Sequence, residues 1–456
     1  MNILIVSAHP AQVHGFRLVR EELMRDGHQV FWATTDKDIA INLLQQFGID
    51  YFLILKAPKN FISRVWYMLR NVCRLIPYLR RNKIDLVVDR YEPFISVAAW
   101  LNRTPHICLA DTEHAAIKCK PFIKMCQAAL YPTCFYEKVT DDMLYFPGNI
   151  ELYYLHPKRF CPAPVWDLLG IEEGTRFAIV RFVKWDAWHD TQLVGGFSLE
   201  QKRELIKRLS KHLRVFISSE SELPADLEPY RIQIPIERMH DVQVAATLFV
   251  GESATMASES VCLGTPAIYI DEVGRGYTDE EAREGLLWMF RPVANRSMLT
   301  IEENTKNIDK NTENNIESKS KTRSPQSIGI DSNSIDLQSA QKQAFGQPTA
   351  QSCAIVESED QLLATYKNTD LQSSEKNQKN GKVEPWWISG GVEECIEKAE
   401  EIADAKFDSA AYAKRHKEWL ASKIDCTAFL TWFVENYPSS VAEARKADAT
   451  FWKRFK

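Results

Sequence analysis

Residues 1–34 read MNILIVSAHP AQVHGFRLVR EELMRDGHQV FWAT, and this stretch sets the fold. Ile3-Leu-Ile-Val6, between Asn2 and Ser7, is unbroken apolar chain. A strand that is apolar on both faces belongs inside a parallel sheet. The loop Ala8-His-Pro-Ala-Gln-Val-His-Gly15 follows, and a helical pattern then runs through Met24. Asp26-Gly27 stops it, because glycine takes the left-handed conformation that ends a helix. Gln29 to Thr34 is the next strand, which completes a β-α-β unit.

The same alternation continues outward. Helical patterns at 38–47, 61–80 and 93–101 alternate with strand patterns at 51–55, 84–88 and 105–110. It restarts after residue 160, with strands at 176–182, 214–218, 248–251 and 266–270 and helices at 199–212, 241–246 and 254–263. Such alternation predicts an α/β fold with two Rossmann-like domains, each a parallel sheet covered on both faces. Pro162-Ala-Pro164 lies near the seam, so the first domain is placed at 1–160. The second takes 161–294 and 386–440, with helices at 392–404, 408–421 and 425–437, and 441–456 forms a short helical tail. Residues 295–385 are rich in Asn, Ser, Lys, Gln, Thr and Glu, with Phe345 and Tyr366 as the only aromatics. That composition buries too little apolar surface to offset ordering entropy, so a largely disordered insert is expected there.

Length agrees, since 456 residues exceed one ordinary core. Apolar residues at 45% suffice for full cores, and the net charge of −5 gives no ground for nucleic-acid binding. The ten cysteines include no CxxC pair, and Cys108 and Cys262 sit inside apolar runs as small hydrophobes. Neither a zinc site nor a disulfide framework is expected, which favours a reducing, cytoplasmic setting. The first apolar run is too short for a signal peptide. Phe94 to Leu101 falls well short of the about 20 residues that span a bilayer. Between Ala57 and Lys83 no acidic residue occurs, while Lys59, Arg64, Arg70, Arg74, Arg80, Arg81 and Lys83 interleave with Phe61, Trp66, Tyr67 and Tyr78. The stretch 57–83 suits either peripheral contact with an anionic membrane, near a lipid-linked acceptor, or a sheet-covering helix with solvated cations.

Residues 248–268, LFVGESATMASESVCLGTPAI, carry the strongest site signal. A buried strand meets the small residues Gly251, Ser253 and Ala254, and a helix begins there. Its free N–H groups and positive dipole end suit a phosphate, at the strand edge where open α/β sheets bind ligands. Glu259, six positions on, reaches a ribose hydroxyl beside that phosphate. The plainer reading makes Ser253 an ordinary N-cap. His9 and His14 in the first β-α loop serve as general bases or as capping and solvated histidines. Asp111 and Glu113, after another apolar strand, divide acid and base roles or cap the loop. Arg181, Lys184, His189 and Asp190 follow the first strand of the second domain, which sets cations across from Ser253 for a leaving diphosphate, or leaves them solvated. His189-Asp190 lacks a third ligand and no Asp-x-Asp motif is placed to hold a metal at this site, so no metal is expected. Asp241, after His240, reads as an N-cap.

The 248–268 stretch resembles the donor-binding motif of the UDP-N-acetylglucosamine 2-epimerases and other GT-B-fold glycosyltransferases. In that motif a Ser-Gly-Gly-type turn meets the diphosphate, a Glu on the next helix meets the ribose, and Leu-Gly-x-Pro follows. Ser253, Glu259 and Leu263-Gly-Thr-Pro266 match, and Ala254 and Thr255 stand at the two glycines. Ala110–Ala115, Arg181–Asp190, Gly251–Met256, Lys423–Phe429 and Trp432–Pro438 are similar to one branch of that superfamily, a domain family of archaea and bacteria predicted to be glycosyltransferases. The resemblance covers most of 1–290 and 386–440. It implies two domains facing each other, GT-B-like, with a nucleotide-diphosphate sugar as substrate and no further cofactor. It places Arg181, Lys184, Ser253, Ala254 and Thr255 at the phosphates and Glu259 at the ribose. The acceptor side falls to Glu113, Asp111 or a histidine of the first loop. Glu113 matches the Glu of the epimerases' His-x-Glu, and Asp111 replaces their His. The implied activity is glycosyl transfer, in surface polysaccharide or glycoconjugate synthesis, to an acceptor the sequence does not identify. A UDP-sugar 2-epimerase and a non-catalytic nucleotide-sugar binder stay open as alternatives.

Overall fold

A computed structural model describes residues 1–7, 9–35, 38–54, 61–137, 139–140, 143–182, 196–219, 222–271, 274–290 and 391–456. The polar stretch 295–385 and the segment 183–195, with Lys184, His189 and Asp190, lie outside the described residues. All described residues fall in one compact unit.

Two parallel sheets organise it. The first contains β1 (Asn2–Ser7), β2 (Gln29–Thr35), β3 (Phe52–Ile54), β4 (Leu86–Asp89), β5 (His106–Leu109), β6 (Ala128–Pro132) and β7 (Leu144–Phe146), in the order β3-β2-β1-β4-β5-β6-β7. The second contains β8 (Phe177–Arg181), β9 (Arg214–Ser218), β10 (Leu248–Gly251), β11 (Ala267–Ile270) and β12 (Leu287–Phe290), in the order β12-β11-β10-β8-β9. The molecule is therefore α/β with two Rossmann-like halves, as the alternation of patterns predicts. β6, β7 and β12, each three to five residues long, are not among the strands read from the sequence.

β1 shows why such strands are apolar throughout. Ile3 and Ile5 enter one core, while Leu4 and Val6 enter another on the opposite face. Successive side chains alternate faces, and both faces are covered by helices. The core that holds Ile3 and Ile5 also holds Phe177 and Phe249, so it runs unbroken between the halves.

Helix Cys426–Glu435 closes the structure. The sequence groups it with the second domain, yet it packs on helix Pro10–Arg25 of the first half. Phe429, Leu430, Phe433 and Val434 are fully buried, Phe429 stacks on Phe146, and Thr427 Oγ1 donates to the Tyr153 carbonyl at 2.6 Å. Arg159 ties the same region down by pairing with both Glu22 and Asp425.

Strand order decides where a ligand can sit. Neighbouring strands whose connections run in opposite directions leave a crevice between their C-terminal ends. In the first sheet that point lies between β1 and β4, and in the second between β8 and β10. Among the described helices none is long and apolar enough to cross a membrane.

Candidate functional site

The two crevices open into one cleft with two lobes. The larger, about 440 Å³, is lined by His9, His14, Arg181, Ser218, His240 and Glu259, with Ile232, Ile234, Ile236 and Met239 as an apolar wall. The smaller, about 390 Å³, is lined by Arg90, Asp111, Glu151, Glu252, Arg275 and Tyr277. His9, Ala11, Ser253 and Thr255 border both.

Three strands of the second sheet end side by side at the larger lobe, with Arg181 in register with both Gly251 and Ser218. Arg181 Nη1 donates to Ser218 Oγ at 3.2 Å, which orients the guanidinium along this edge. Only glycine fits at 251, since a Cβ there would lie 2.5 Å from the Arg181 carbonyl oxygen. β10 then turns into helix Ala254–Cys262. Ser253 is its N-cap and accepts from the Met256 amide at 3.4 Å. The ordinary capping role is thus real, and the capped end still faces the cleft. Ala254 and Thr255 occupy the first turn, whose amides have no partner within the helix.

Glu259 lies one and a half turns further along and is buried. Its Oε1 accepts from the Tyr154 hydroxyl at 2.7 Å and faces His240 Nε2 at 3.1 Å. Burial alone would raise this carboxyl, but the charge and hydrogen bond of His240, with Tyr154 and His14, bring it below the ordinary Glu value. Glu259 is therefore a fixed carboxylate on the lobe wall. His240, read from sequence only as the residue before a cap, is its main partner. Asp241 is not the N-cap, because the helix already starts at Met239; it accepts instead from the Ala163 amide and from Arg238.

The two N-terminal histidines separate in the structure. Helix Pro10–Arg25 begins where proline's fixed φ suits the first helical position. His9 is the N-cap, accepts from the Ala11 amide through Nδ1 at 3.4 Å, and faces both lobes. His14 is on the helix and not in the loop, because the helix starts at Pro10, six residues earlier than the apolar pattern suggests. It packs edge-on against His240 at 4.8 Å between ring centroids. Burial, then the neighbouring His240, push its pKa down to about 3, so it is neutral at physiological pH.

Asp111 and Glu113 separate as well. Asp111 borders the smaller lobe, paired with Arg90 and accepting from Thr112 Oγ1 at 3.1 Å. Glu113 is buried and is not among the residues lining either lobe. Its Oε1 accepts from the Gly276 amide at 3.1 Å and so joins the two halves. Burial pushes its carboxyl up to about 7.

Glu151 occupies the lobe position that sequence reading missed. It is 2% exposed, lines the smaller lobe, and its Oε2 has no hydrogen-bond partner among the described residues. Burial, with Glu259 nearby, pushes this carboxyl up to about 7. No pattern in Gly148-Asn-Ile-Glu151 marks it, because the residue leads a helix of only four residues. Arg90 and Arg275 had a weak signal, each closely following a buried strand. Arg275 Nη1 donates to the Tyr269 hydroxyl at 2.7 Å, which holds the cation at the lobe. Among the described residues no group of three or more His, Cys, Asp or Glu is placed to hold a metal ion.

No protein-family model matches the chain, and no curated protein matches it significantly. Solved structures do. The UDP-GlcNAc 2-epimerase of Neisseria meningitidis bound to UDP-GlcNAc is 12% identical with a TM-score of 0.48, over 68% of this chain and 92% of that one. The UDP-GlcNAc 2-epimerase of Methanocaldococcus jannaschii is 11% identical with a TM-score of 0.47, over 63% and 88%. MurG of Acinetobacter baumannii is 15% identical with a TM-score of 0.40, over 64% and 85%.

Proposed function

We propose that this chain binds a nucleotide-diphosphate sugar in the cleft and transfers its sugar to an acceptor without a metal ion. One observation carries the reading. A capped helix N-terminus and a strand-end arginine meet between an apolar wall with a fixed carboxylate and a polar lobe. The base lies against Ile232, Ile234, Ile236 and Met239, and Glu259 takes the ribose. The diphosphate rests on the first-turn amides at Ser253, Ala254 and Thr255, facing Arg181, with Lys184 assigned beside it from the sequence. Fixed N–H dipoles and a guanidinium stabilise the charge that develops on a leaving diphosphate.

The sugar and the acceptor hydroxyl meet in the smaller lobe. Glu151 suits the proton acceptor there, since a carboxyl poised near neutral pH both takes and returns a proton. Asp111 and His9 share that lobe, Asp111 holding Arg90 in place. His14, neutral and packed against His240, adds no charge beside Glu259, and Glu113 joins the halves. Helix Phe61–Arg81 rests peripherally on an anionic membrane, which brings a lipid-linked acceptor to the cleft.

The test is turnover of UDP-GlcNAc and related donors in deuterated water. Nucleotide release that depends on an added acceptor, with no deuterium in the sugar, supports transfer. Conversion of the lone sugar with solvent deuterium at the reacting carbon replaces transfer with epimerisation. Binding with no turnover of any donor leaves a non-catalytic binder.

A further inference from the structure

Outside the cleft, three side chains form a relay. Cys126 lies two residues before β6, and His106 Nδ1 is 3.2 Å from its sulfur. His106 Nε2 is 2.6 Å from Asp89 Oδ1, and both His106 and Asp89 are completely enclosed. Asp89 is held in turn by the Tyr91 and Glu92 amides, at 3.1 and 2.8 Å. None of the three lines either lobe. A thiol on a histidine, with the histidine on a carboxylate, is the arrangement that activates a nucleophile. Cys126 keeps partial exposure, whereas buried structural cysteines such as Cys395 and Cys426 have none of this company.

A second thiol completes the set. Cys108, in β5, is buried two residues from His106, on the same face of the strand, and its thiol acts on the Cys126 sulfur. The groups facing Cys126 are then His106 and Cys108 from β5, Asp89 from β4, Ser96 Oγ at 3.9 Å from helix Pro93–Asn102, and the Phe122 carbonyl. We infer that Cys126 is a modification site, a nucleophilic thiol that hydroperoxides oxidise and that then closes a disulfide with Cys108.

The electrons balance as follows. The Cys126 thiolate attacks the peroxide, an S–O bond forms, and the O–O bond breaks. The departing oxygen takes a proton from the His106 imidazolium and leaves as an alcohol or water. The Cys108 thiol then attacks the sulfenic sulfur, an S–S bond forms, and water departs with the Cys108 proton. The Cys108 thiol, followed by the charge of His106, brings the Cys126 thiol down to about 6 against burial. Cys119, partly exposed and two turns of chain away, is pushed up by burial to about 11 and serves as an internal reference. This site is independent of what the cleft binds.

The experiment treats the full-length protein with iodoacetamide across pH and follows each cysteine by peptide mass spectrometry. Cys126 is expected to keep more than half of its pH 9 labelling rate at about pH 6.5, whereas an ordinary thiol loses roughly 75-fold over that interval. Hydrogen peroxide is expected to remove two hydrogens and link the Cys108 and Cys126 peptides. Cys108→Ala is expected to shift the Cys126 labelling profile to higher pH, form no link, and leave a sulfenic acid that dimedone traps. His106→Gln is expected to move the labelling profile to that of an ordinary thiol. The wild-type profile needs no variant, so misfolding of His106→Gln leaves the test intact. An ordinary pH profile at Cys126, or peroxide treatment that links no Cys108 peptide, overturns the inference.

Discussion

Burial keeps Glu151 protonated up to about pH 7, whereas the unfolded chain releases that proton near the ordinary Glu value of 4.5. The folded state therefore binds more protons across that window, and stability falls as pH rises through it. Full ionisation costs up to about 3 kcal/mol at the usual exchange of pKa for free energy. Glu151→Gln is expected to gain little at pH 4.5 and to gain stability over wild type as pH climbs to 8, read from urea midpoints. A gain that does not change with pH would mean that the carboxyl is solvated. Arg181→Ala removes a charged hydrogen-bond donor from the donor lobe, and nucleotide affinity is expected to fall roughly tenfold to a hundredfold by calorimetry. Ser253 and Arg181 were legible because each ends a strongly apolar strand. Glu151 and the wall residues Ile232 and Ile234 were not, because irregular chain carries them and no periodicity marks such chain, while His240 sits in the first turn of a helix of only seven residues.

At the scale of elements, Gly276 holds the backbone where a side chain would intrude. A Cβ at Gly276 would lie 2.3 Å from the Cys134 carbonyl oxygen and 2.5 Å from Glu113 Oε1. Gly276→Ala must push the halves apart or break the Glu113 contact. A loss of about 1–3 kcal/mol or more is expected in chemical denaturation, and a silent substitution would contradict that packing. Helix Phe61–Arg81 shows Trp66 at 70% exposure and Leu69 at 47%, with Arg70, Arg80 and Arg81 also exposed. Arg80 Nε donates to Asn102 Oδ1 at 2.9 Å, beside the exposed Trp100 and Leu101. The full chain is expected to sediment with vesicles of about 30 mol% anionic lipid, less so after Arg70→Glu with Arg81→Glu, and not with neutral vesicles. Equal recovery with both vesicle types would remove the membrane surface. The long helices and most strands were readable from period and apolar runs, whereas β6, β7 and β12, of three to five residues, carry too few positions to show a period.

The whole molecule is held by contacts distant in sequence. Phe429, enclosed by Phe146, Trp452 and Phe455, joins the chain's last helices to its first half. Phe429→Ala is expected to cost about 3–5 kcal/mol and to lower the melting of both halves together, since one core runs through them. Two separate transitions, with only one moved, would show that the halves unfold independently. Local patterns cannot reveal such a return of the chain, because helix 426–435 reads the same whichever half it covers. The claim that both crevices serve one donor is tested most directly by calorimetry with UDP, UDP-GlcNAc and a panel of other nucleotide sugars in the presence of a metal chelator. One nucleotide sugar per chain is expected to bind, more weakly to Arg181→Ala. No binding to any member of the panel would contradict the donor site.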